Sequence, residues 1–132
     1  MSPHNPAKKE FYHSTMWIED SILYCTYKPN LVINLEVAQD IVEDRAKLCA
    51  GRKSPILLDC SELVYIDQAA REFMASQEAC EHVTAIALIS NTTYMKIIAK
   101  ALVLLDKTTV SMIYFNNRHE AQEWLHNFTN CD

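Results

Sequence analysis

The chain has 132 residues, of which 49% are hydrophobic, so it is long enough for one domain with a core and too apolar to be disordered. Its single glycine, Gly51, excludes phosphate-binding loops such as GxGxxG and the P-loop, which need several glycines for close backbone approach. The net charge of −5 and the scattered basic residues argue against nucleic acid as a partner.

The cysteines and the lack of a long apolar run indicate where in the cell the protein is expected. Five cysteines are widely spaced and form no C-x-x-C pair, and no signal peptide stands at the N-terminus. We therefore expect reduced thiols and a cytoplasmic protein. No apolar run reaches the roughly 18 residues that a membrane-spanning helix needs, so stable membrane insertion is not expected.

The N-terminal third is predicted to contain an arm, a hairpin and a helix. Residues 1 to 10 contain two prolines and no periodic apolar pattern, which predicts a flexible arm before a single domain at residues 11 to 132. Phe11 to Glu19 and Ile22 to Lys28 are predicted to pair as an antiparallel hairpin. Asn34 then begins a helix that ends near Ala50, with Gly51 at the C-cap.

The middle of the chain contains its most apolar strands. The run Ile56-Leu57-Leu58 lacks polar side chains, as in a central strand covered on both faces. Asp67 is a good N-cap for a helix from Gln68 to about Glu81. Val83 to Ser90 is the most apolar strand, and we predict that it lies at the centre of the sheet.

The remaining elements complete an alternating pattern. A helix from Asn91 or Thr92 to about Asp106 is followed by a strand at Val110 to Phe115, and Asn117 caps a last helix. The order β-β-α-β-α-β-α-β-α predicts an α/β fold with four helices on both faces of a mixed, largely parallel five-stranded sheet, whose N-terminal hairpin is antiparallel.

One segment resembles a known superfamily. ILLDCSELVYIDQAAREFM, Ile56 to Met74, is similar to the strand, loop and helix of the STAS (sulfate transporter and anti-sigma-factor antagonist) and SpoIIAA-like superfamily, where a strand reading roughly vvlDlsgv precedes fiDSSGl. Asp59, Ser61 and Asp67 stand in the expected places. The resemblance implies the SpoIIAA-like fold and regulation through protein contacts.

Two further segments support this resemblance. AQEWL, Ala121 to Leu125, resembles the final helix of SpoIIAA-like proteins. VTAIALISN, Val83 to Asn91, and the apolar helix after it look like an uncharacterised bacterial branch of the superfamily. In all, the resemblance covers most of residues 11 to 128.

The chain departs from this pattern at the regulatory serine. In anti-sigma-factor antagonists the second serine of DSSG accepts the phosphate, and the matching positions here are Gln68, Ala69 and Ala70. Ala69 has no hydroxyl, so the phosphoswitch of the family cannot operate at this residue. We interpret Ser61, the nearest hydroxyl upstream, as a turn residue that bonds its own backbone.

Polar residues around this unit form the candidate surface for a partner or ligand. Asp67 and Arg71 are one helical turn apart. They can form a polar pair at the sheet edge where α/β folds bind ligands, or an N-cap with an exposed ion pair, which we favour. The candidate surface comprises Asp59, Ser61, Asp67, Gln68 and Arg71.

No metal or cofactor is expected. His119, Glu123 and His126 recur at helical spacing and offer three ligands that zinc accepts, two imidazoles and a carboxylate. The chain has no HExxH motif and no cysteine near them, so we favour a solvated helix edge.

We do not predict an enzyme. Cys60 follows Asp59, which would raise its pKa, so a buried structural thiol is favoured over a nucleophile. No nucleophile–base pair is recognisable. The one group that could support catalysis is Asp59, Asp67, Arg71 and His82.

The helix at residues 92 to 106 is more apolar than a helix packed on one sheet needs to be, since a stripe of about 100° is sufficient for that packing. Its polar stripe is narrow, comprising Thr93, Lys96, Lys100 and Lys107. We expect the excess apolar surface to cover a second subunit, an apolar ligand beneath the helix or a membrane surface, in that order of preference. The candidate face comprises Tyr94, Met95, Ile97, Ile98, Ala101, Leu102, Leu104 and Leu105.

Two functional hypotheses follow. The first is a non-catalytic, cytoplasmic STAS-like regulatory module that binds an unknown regulatory protein and forms a homodimer. The alternative is a small carrier or sensor for an apolar, lipid-like ligand held under the 92–106 helix, because SpoIIAA-like folds resemble lipid-binding Sec14 domains. A closed, ligand-sized cavity between that helix and the sheet would favour the second hypothesis.

Overall fold

The computed structural model of the protein describes residues 7 to 129, which contain eight strands and four α-helices. The strands are β1 (Lys9–Glu10), β2 (Ser14–Glu19), β3 (Ile22–Tyr27), β4 (Leu31–Ile33), β5 (Ser54–Asp59), β6 (Leu63–Ile66), β7 (Val83–Ile89) and β8 (Ser111–Phe115). The helices are α1 (Leu35–Cys49), α2 (Gln68–Met74), α3 (Thr93–Leu104) and α4 (Arg118–Leu125), which continues into a 3₁₀ turn at His126–Phe128. None of these helices is long and apolar enough to cross a membrane.

Six strands form the main sheet in the order β1-β2-β3-β5-β7-β8. The strands β3, β5, β7 and β8 are parallel to one another. β2 pairs antiparallel with β3, and β1 pairs antiparallel with β2. The hairpin of β2 and β3 turns at Asp20 and Ser21, whose φ values of 51° and 67° suit a two-residue turn with the twist of antiparallel strands. The predicted mixed, largely parallel α/β fold with four helices is confirmed.

The two faces of the sheet carry different numbers of helices. On one face, Ile56 of β5 and Leu88 of β7 belong to a core cluster with residues of α1, α2 and α3. On the other face, Leu57 and Ala87 pack in a second cluster with Leu125 of α4. Because successive strand residues point to opposite faces, each central strand contributes to both cores.

All four helices begin at the residues that the sequence indicated. The side chains of Asn34, Asp67, Thr92 and Asn117 each accept a hydrogen bond from the backbone N–H three residues later. Such caps satisfy one of the unpaired donors in the first turn of a helix. At the end of α1, Ala50 takes the left-handed conformation (φ 52°) before Gly51 does (φ 84°).

The structure has more strands than the five predicted. Of the predicted N-terminal arm, residues 1 to 6 lie outside the described residues, whereas Lys9 and Glu10 pair with β2. The strands β4 and β6 pair with each other in a separate two-stranded parallel sheet. At three and four residues they are too short for a periodic pattern to identify them.

Two predictions are wrong, namely the central place of β7 in the sheet and the end of α2. β7 lies next to the edge strand β8, so the centre of the sheet is formed by β3 and β5 instead. α2 ends at Met74 rather than near Glu81. The hydroxyl of Ser76 donates to the carbonyl of Phe73 and accepts from the N–H of Ala79, which replaces helical hydrogen bonds with a turn.

A substitution at Leu125 tests how much the packing of α4 on the sheet contributes to stability. The side chain is fully buried, so Leu125→Ala should lower the free energy of unfolding by about 2–5 kcal/mol, measured by urea denaturation. The matched control is Leu35→Ala at the start of α1, where the side chain is 39% exposed. An equal loss in the two variants would contradict this account of the packing.

Candidate functional site

Asp59 lies at the carboxyl end of β5, where it joins two structural elements. One carboxylate oxygen accepts from the N–H of Ser61 at 3.0 Å and forms a local turn. The other accepts from the guanidinium of Arg118 at 2.9 Å. Asp59 thus connects the strand to the first residue of α4. Ser61 lies in the turn after β5, as expected, but the side chain that bonds the backbone there is the Asp59 carboxylate.

Asp67, Gln68 and Arg71 do not act together as the sequence suggested. Asp67 accepts from the N–H of Ala70 at 2.8 Å as the N-cap of α2, and the Gln68 amide donates to Glu72 at 2.9 Å. The side chain of Arg71 bonds neither of these residues, because it extends to the carboxyl end of α3. Its backbone N–H donates to the carbonyl of Asp67 at 3.0 Å, as in any helix. The predicted Asp67–Arg71 pair is therefore wrong, and only the N-cap is confirmed.

The partner of Arg71 is Asp106. The Nε of Arg71 donates to the Asp106 carboxylate at 2.6 Å, and the two side chains are 17% and 5% exposed. This hydrogen bond is the main cause that raises the pKa of Arg71 above its usual range. The pair fixes α2 to the end of α3, across 35 positions of sequence, so no local pattern could have identified it.

The group considered for catalysis is dispersed. Asp59 lies beside Ile89 at the carboxyl ends of the parallel strands, whereas the carbonyl of His82 accepts from Ser54 at their amino ends. His119 and Glu123 are an exposed pair 3.5 Å apart on α4. Within residues 7 to 129, no three His, Cys, Asp or Glu side chains are close enough to hold a metal ion.

The predicted apolar face of α3 divides into two parts. Met95, Ile98 and Leu102 point into the core and are buried. Three other side chains are mostly exposed, namely Ile97 (59%), Leu104 (71%) and Leu105 (72%). We call these three residues the outer face of α3, although Leu105 is the C-cap that follows the last helical residue.

Tyr94 fixes the amino end of this outer face to the small sheet. Its hydroxyl accepts from the N–H of Ile66 at 3.0 Å and lies 3.3 Å from the carbonyl oxygen of the same residue. The ring stacks on Tyr65, with centroids 6.2 Å apart, and Tyr65 is itself half exposed. The exposed apolar surface therefore extends from β6 onto α3.

A small cavity lies beneath α3. It has a volume of about 40 Å³, and its lining is apolar apart from Arg45 and the hydroxyl of Tyr27. Small-molecule pockets occupy about 300–1,000 Å³, so the cavity has room for about one water molecule. Arg45, buried at the edge of the cavity, donates to the carbonyl of Ala79.

Two buried thiols, those of Cys60 and Cys25, favour their protonated form. Cys60 is buried, and burial raises its pKa well above the usual range, which confirms the buried thiol expected from the sequence. Burial also raises the pKa of Cys25 to about 12. Because the thiolate is the nucleophilic form, neither residue has the environment of an activated cysteine.

The Arg71–Asp106 pair should contribute more to stability than the Asp59–Arg118 pair. Asp106→Asn leaves a largely buried guanidinium without its charged partner, so we expect a loss of about 1–3 kcal/mol in the free energy of unfolding. Arg118 is 40% exposed, and Asp59→Asn should cost less than about 1 kcal/mol. Urea denaturation measures both, and the reverse ranking would contradict the assignment.

The buried thiol of Cys25 should make the folded state less stable at alkaline pH. The folded state favours the protonated thiol, so its contribution is complete below the pKa of the unfolded thiol, 9.0, and is lost as pH rises towards about 12. Urea denaturation from pH 8 to 11 should therefore show decreasing stability. Cys25→Ala should reduce this slope by up to about 1.4 kcal/mol per pH unit, and identical slopes would contradict the assignment.

Comparisons with known proteins agree with this architecture. No curated protein matches the chain. One similar solved structure is an uncharacterised protein of the DUF3478 family with a SpoIIAA-like fold, from Shewanella loihica PV-4, with a TM-score of 0.59 and 15% identity over 95% of this chain and 98% of that chain. At this identity the similarity shows the fold alone, and it confirms the SpoIIAA-like fold. Residues 16–129 match the family described as Domain of unknown function (DUF7793), and the chain therefore belongs to that family.

Proposed function

We propose that the protein is a non-catalytic regulatory module of the bacterial cytoplasm, which acts through protein contacts and forms a homodimer through the outer face of α3. The observation that carries this proposal is the exposure of Ile97, Leu104 and Leu105. Contiguous exposed apolar surface on a small domain is typical of an interaction site. The four described cysteines are free, as in a reducing compartment.

The energetics support contact with another protein surface. Burying a Leu or Ile side chain contributes about 1.5–3 kcal/mol relative to leaving it in water. A two-fold dimer buries the same side chains twice, because each copy contributes the same patch. The exposed Lys96 and Lys100 border the outer face, where they would form a polar rim.

Ala69 stands where the anti-sigma-factor antagonists that the sequence resembles have the phosphorylated serine, which supports constitutive contact rather than a phosphoswitch at this position. Ala69 is exposed on the first turn of α2. The polar residues around it already bond within the chain, since Asp67 caps α2 and Gln68 bonds Glu72. The outer face of α3 is thus a better candidate for the contact than the start of α2.

The alternative, a carrier of an apolar ligand, requires a different position of α3. The cavity of about 40 Å³ beneath the helix would have to enlarge several-fold to hold a lipid-like molecule. Native mass spectrometry distinguishes the two proposals in one measurement. An added mass that leaves on denaturation would support the carrier.

Substitution of Leu104 tests the homodimer. We expect the unmodified protein to have the mass of two copies at low micromolar concentration. Leu104→Lys places two unpaired charges in the two-fold interface, so dimerisation should weaken by roughly 100-fold or more and the variant should be monomeric. Tyr12→Lys is the matched control, because Tyr12 is 88% exposed and lies away from α3.

The outcomes separate clearly when native mass spectrometry and sedimentation are combined. Dimeric Tyr12→Lys with monomeric Leu104→Lys supports the proposal. A Leu104→Lys variant that stays dimeric would overturn the placement of the interface. A bare monomer for the unmodified protein would overturn the homodimer itself.

A further inference from the structure

The two edges of the main sheet differ in how they are protected. The β1 edge has only two residues, Lys9 and Glu10, and Glu10 forms an ion pair with Lys28 at 3.0 Å. Short length and charge are devices by which proteins prevent unwanted strand pairing. The β8 edge has neither device, because its five residues Ser111–Phe115 include no charge and no proline.

The free edge of β8 is regular and unpaired. Its register with β7 runs without a bulge from Ser111 to Phe115. Among residues 7 to 129, no strand other than β7 pairs with it. Such an edge presents a row of backbone donors and acceptors that an additional strand can complete.

A groove accompanies this edge. It has a volume of about 540 Å³ and lies between β8 and α3. Its wall on the strand is formed by Met112, Ile113 and Tyr114, and its wall on the helix is mainly apolar, with Ala99, Val103 and Leu104. Apolar side chains of an added strand would therefore have a place beside the paired backbone.

The charge of the groove indicates which kind of strand fits. The whole chain has a net charge of −5, yet the charged side chains in the groove lining are Lys96 and Lys100. Both are exposed. Acidic side chains on the incoming segment would complement them.

We propose that the β8 edge binds an extended segment of a partner protein, which adds to the sheet as a further strand and carries apolar and acidic side chains. The apolar side chains occupy the groove, and the acidic ones lie beside Lys96 and Lys100. This inference rests on the proposed function, since it gives the protein-binding module a partner of stated chemistry. A partner segment is the occupant that this charge favours, because its acidic side chains complement Lys96 and Lys100, whereas the groove lining itself has no acidic residue.

Selection from a displayed library of random twelve-residue peptides tests the partner chemistry without bias. The protein is used as the full chain. We expect the selected peptides to be enriched in Asp and Glu and in alternating apolar residues, and to lack proline in the paired region. A selection without acidic enrichment, or without any selected peptide, would overturn the proposal.

N-methylation of one selected, synthesised peptide tests strand pairing. Two versions carry N-methyl groups on alternate residues, one on the odd and one on the even positions, so that each blocks one edge of the peptide. Only one edge pairs with β8, so one version should bind at least about 100-fold more weakly in fluorescence anisotropy and the other should bind nearly normally. Equal affinity for the two versions would overturn the proposal.

Charge reversal in the protein tests the site. The double variant Lys96→Glu, Lys100→Glu should bind the selected peptide roughly tenfold or more weakly, and the difference should shrink at high salt. The matched double control is Lys47→Glu, Lys53→Glu, whose lysines are exposed outside the groove. Circular dichroism verifies folding of both variants, and equal weakening in both would overturn the site.

Other outcomes separate this inference from the homodimer. Peptide binding by a monomer would leave the inference intact and overturn the dimer, whereas a dimer that selects no peptide would overturn the inference alone. Concentration-dependent protection of the Ser111–Phe115 amides from hydrogen exchange, without peptide, would assign the edge to a second copy and overturn the partner segment.

Discussion

The position of the last crossover determines which surfaces of this molecule stay uncovered. After α3 the chain adds β8 beside β7 and then crosses to the opposite face, where α4 packs on Leu57 and Ala87. Among the described residues, no strand follows to pair with β8 and no helix follows to cover the outer face of α3. The open edge and the exposed leucines therefore have one topological cause. A further crossover on the α3 side would have covered both.

The sequence predicted the elements whose signals are local. Side-chain caps such as Asn34 and Thr92 mark helix starts within four residues, and the apolar run at β5 is distinct from its neighbours. Strand order, the pairing of β4 with β6 and the end of α2 depend on contacts between distant segments. Single-sequence periodicity contains no information about these contacts.

The sequence identified the polar residues near the carboxyl ends of the strands, but it did not predict which residues each of them bonds. Asp59, Asp67 and Arg71 are all present near the carboxyl ends of the strands or on the helix that follows. Their bonding capacity is taken by Arg118, by the first turn of α2 and by Asp106, respectively. Buried or half-buried charges find partners wherever the fold supplies them. These side chains therefore hold elements of the fold together: Asp59 joins β5 to α4, Asp67 caps α2, and Arg71 ties α2 to the residues after α3.

Leu104 connects the two proposed contacts. It is part of the outer face of α3 and also lines the groove beside β8. A segment bound in the groove would cover part of this side chain and leave less of it for a second copy. By thermodynamic linkage the effect is mutual. The factor by which partner binding changes the dimerisation constant equals the factor by which dimerisation changes the affinity for the partner. If both contacts form, the oligomeric state and the partner would regulate each other without any covalent modification.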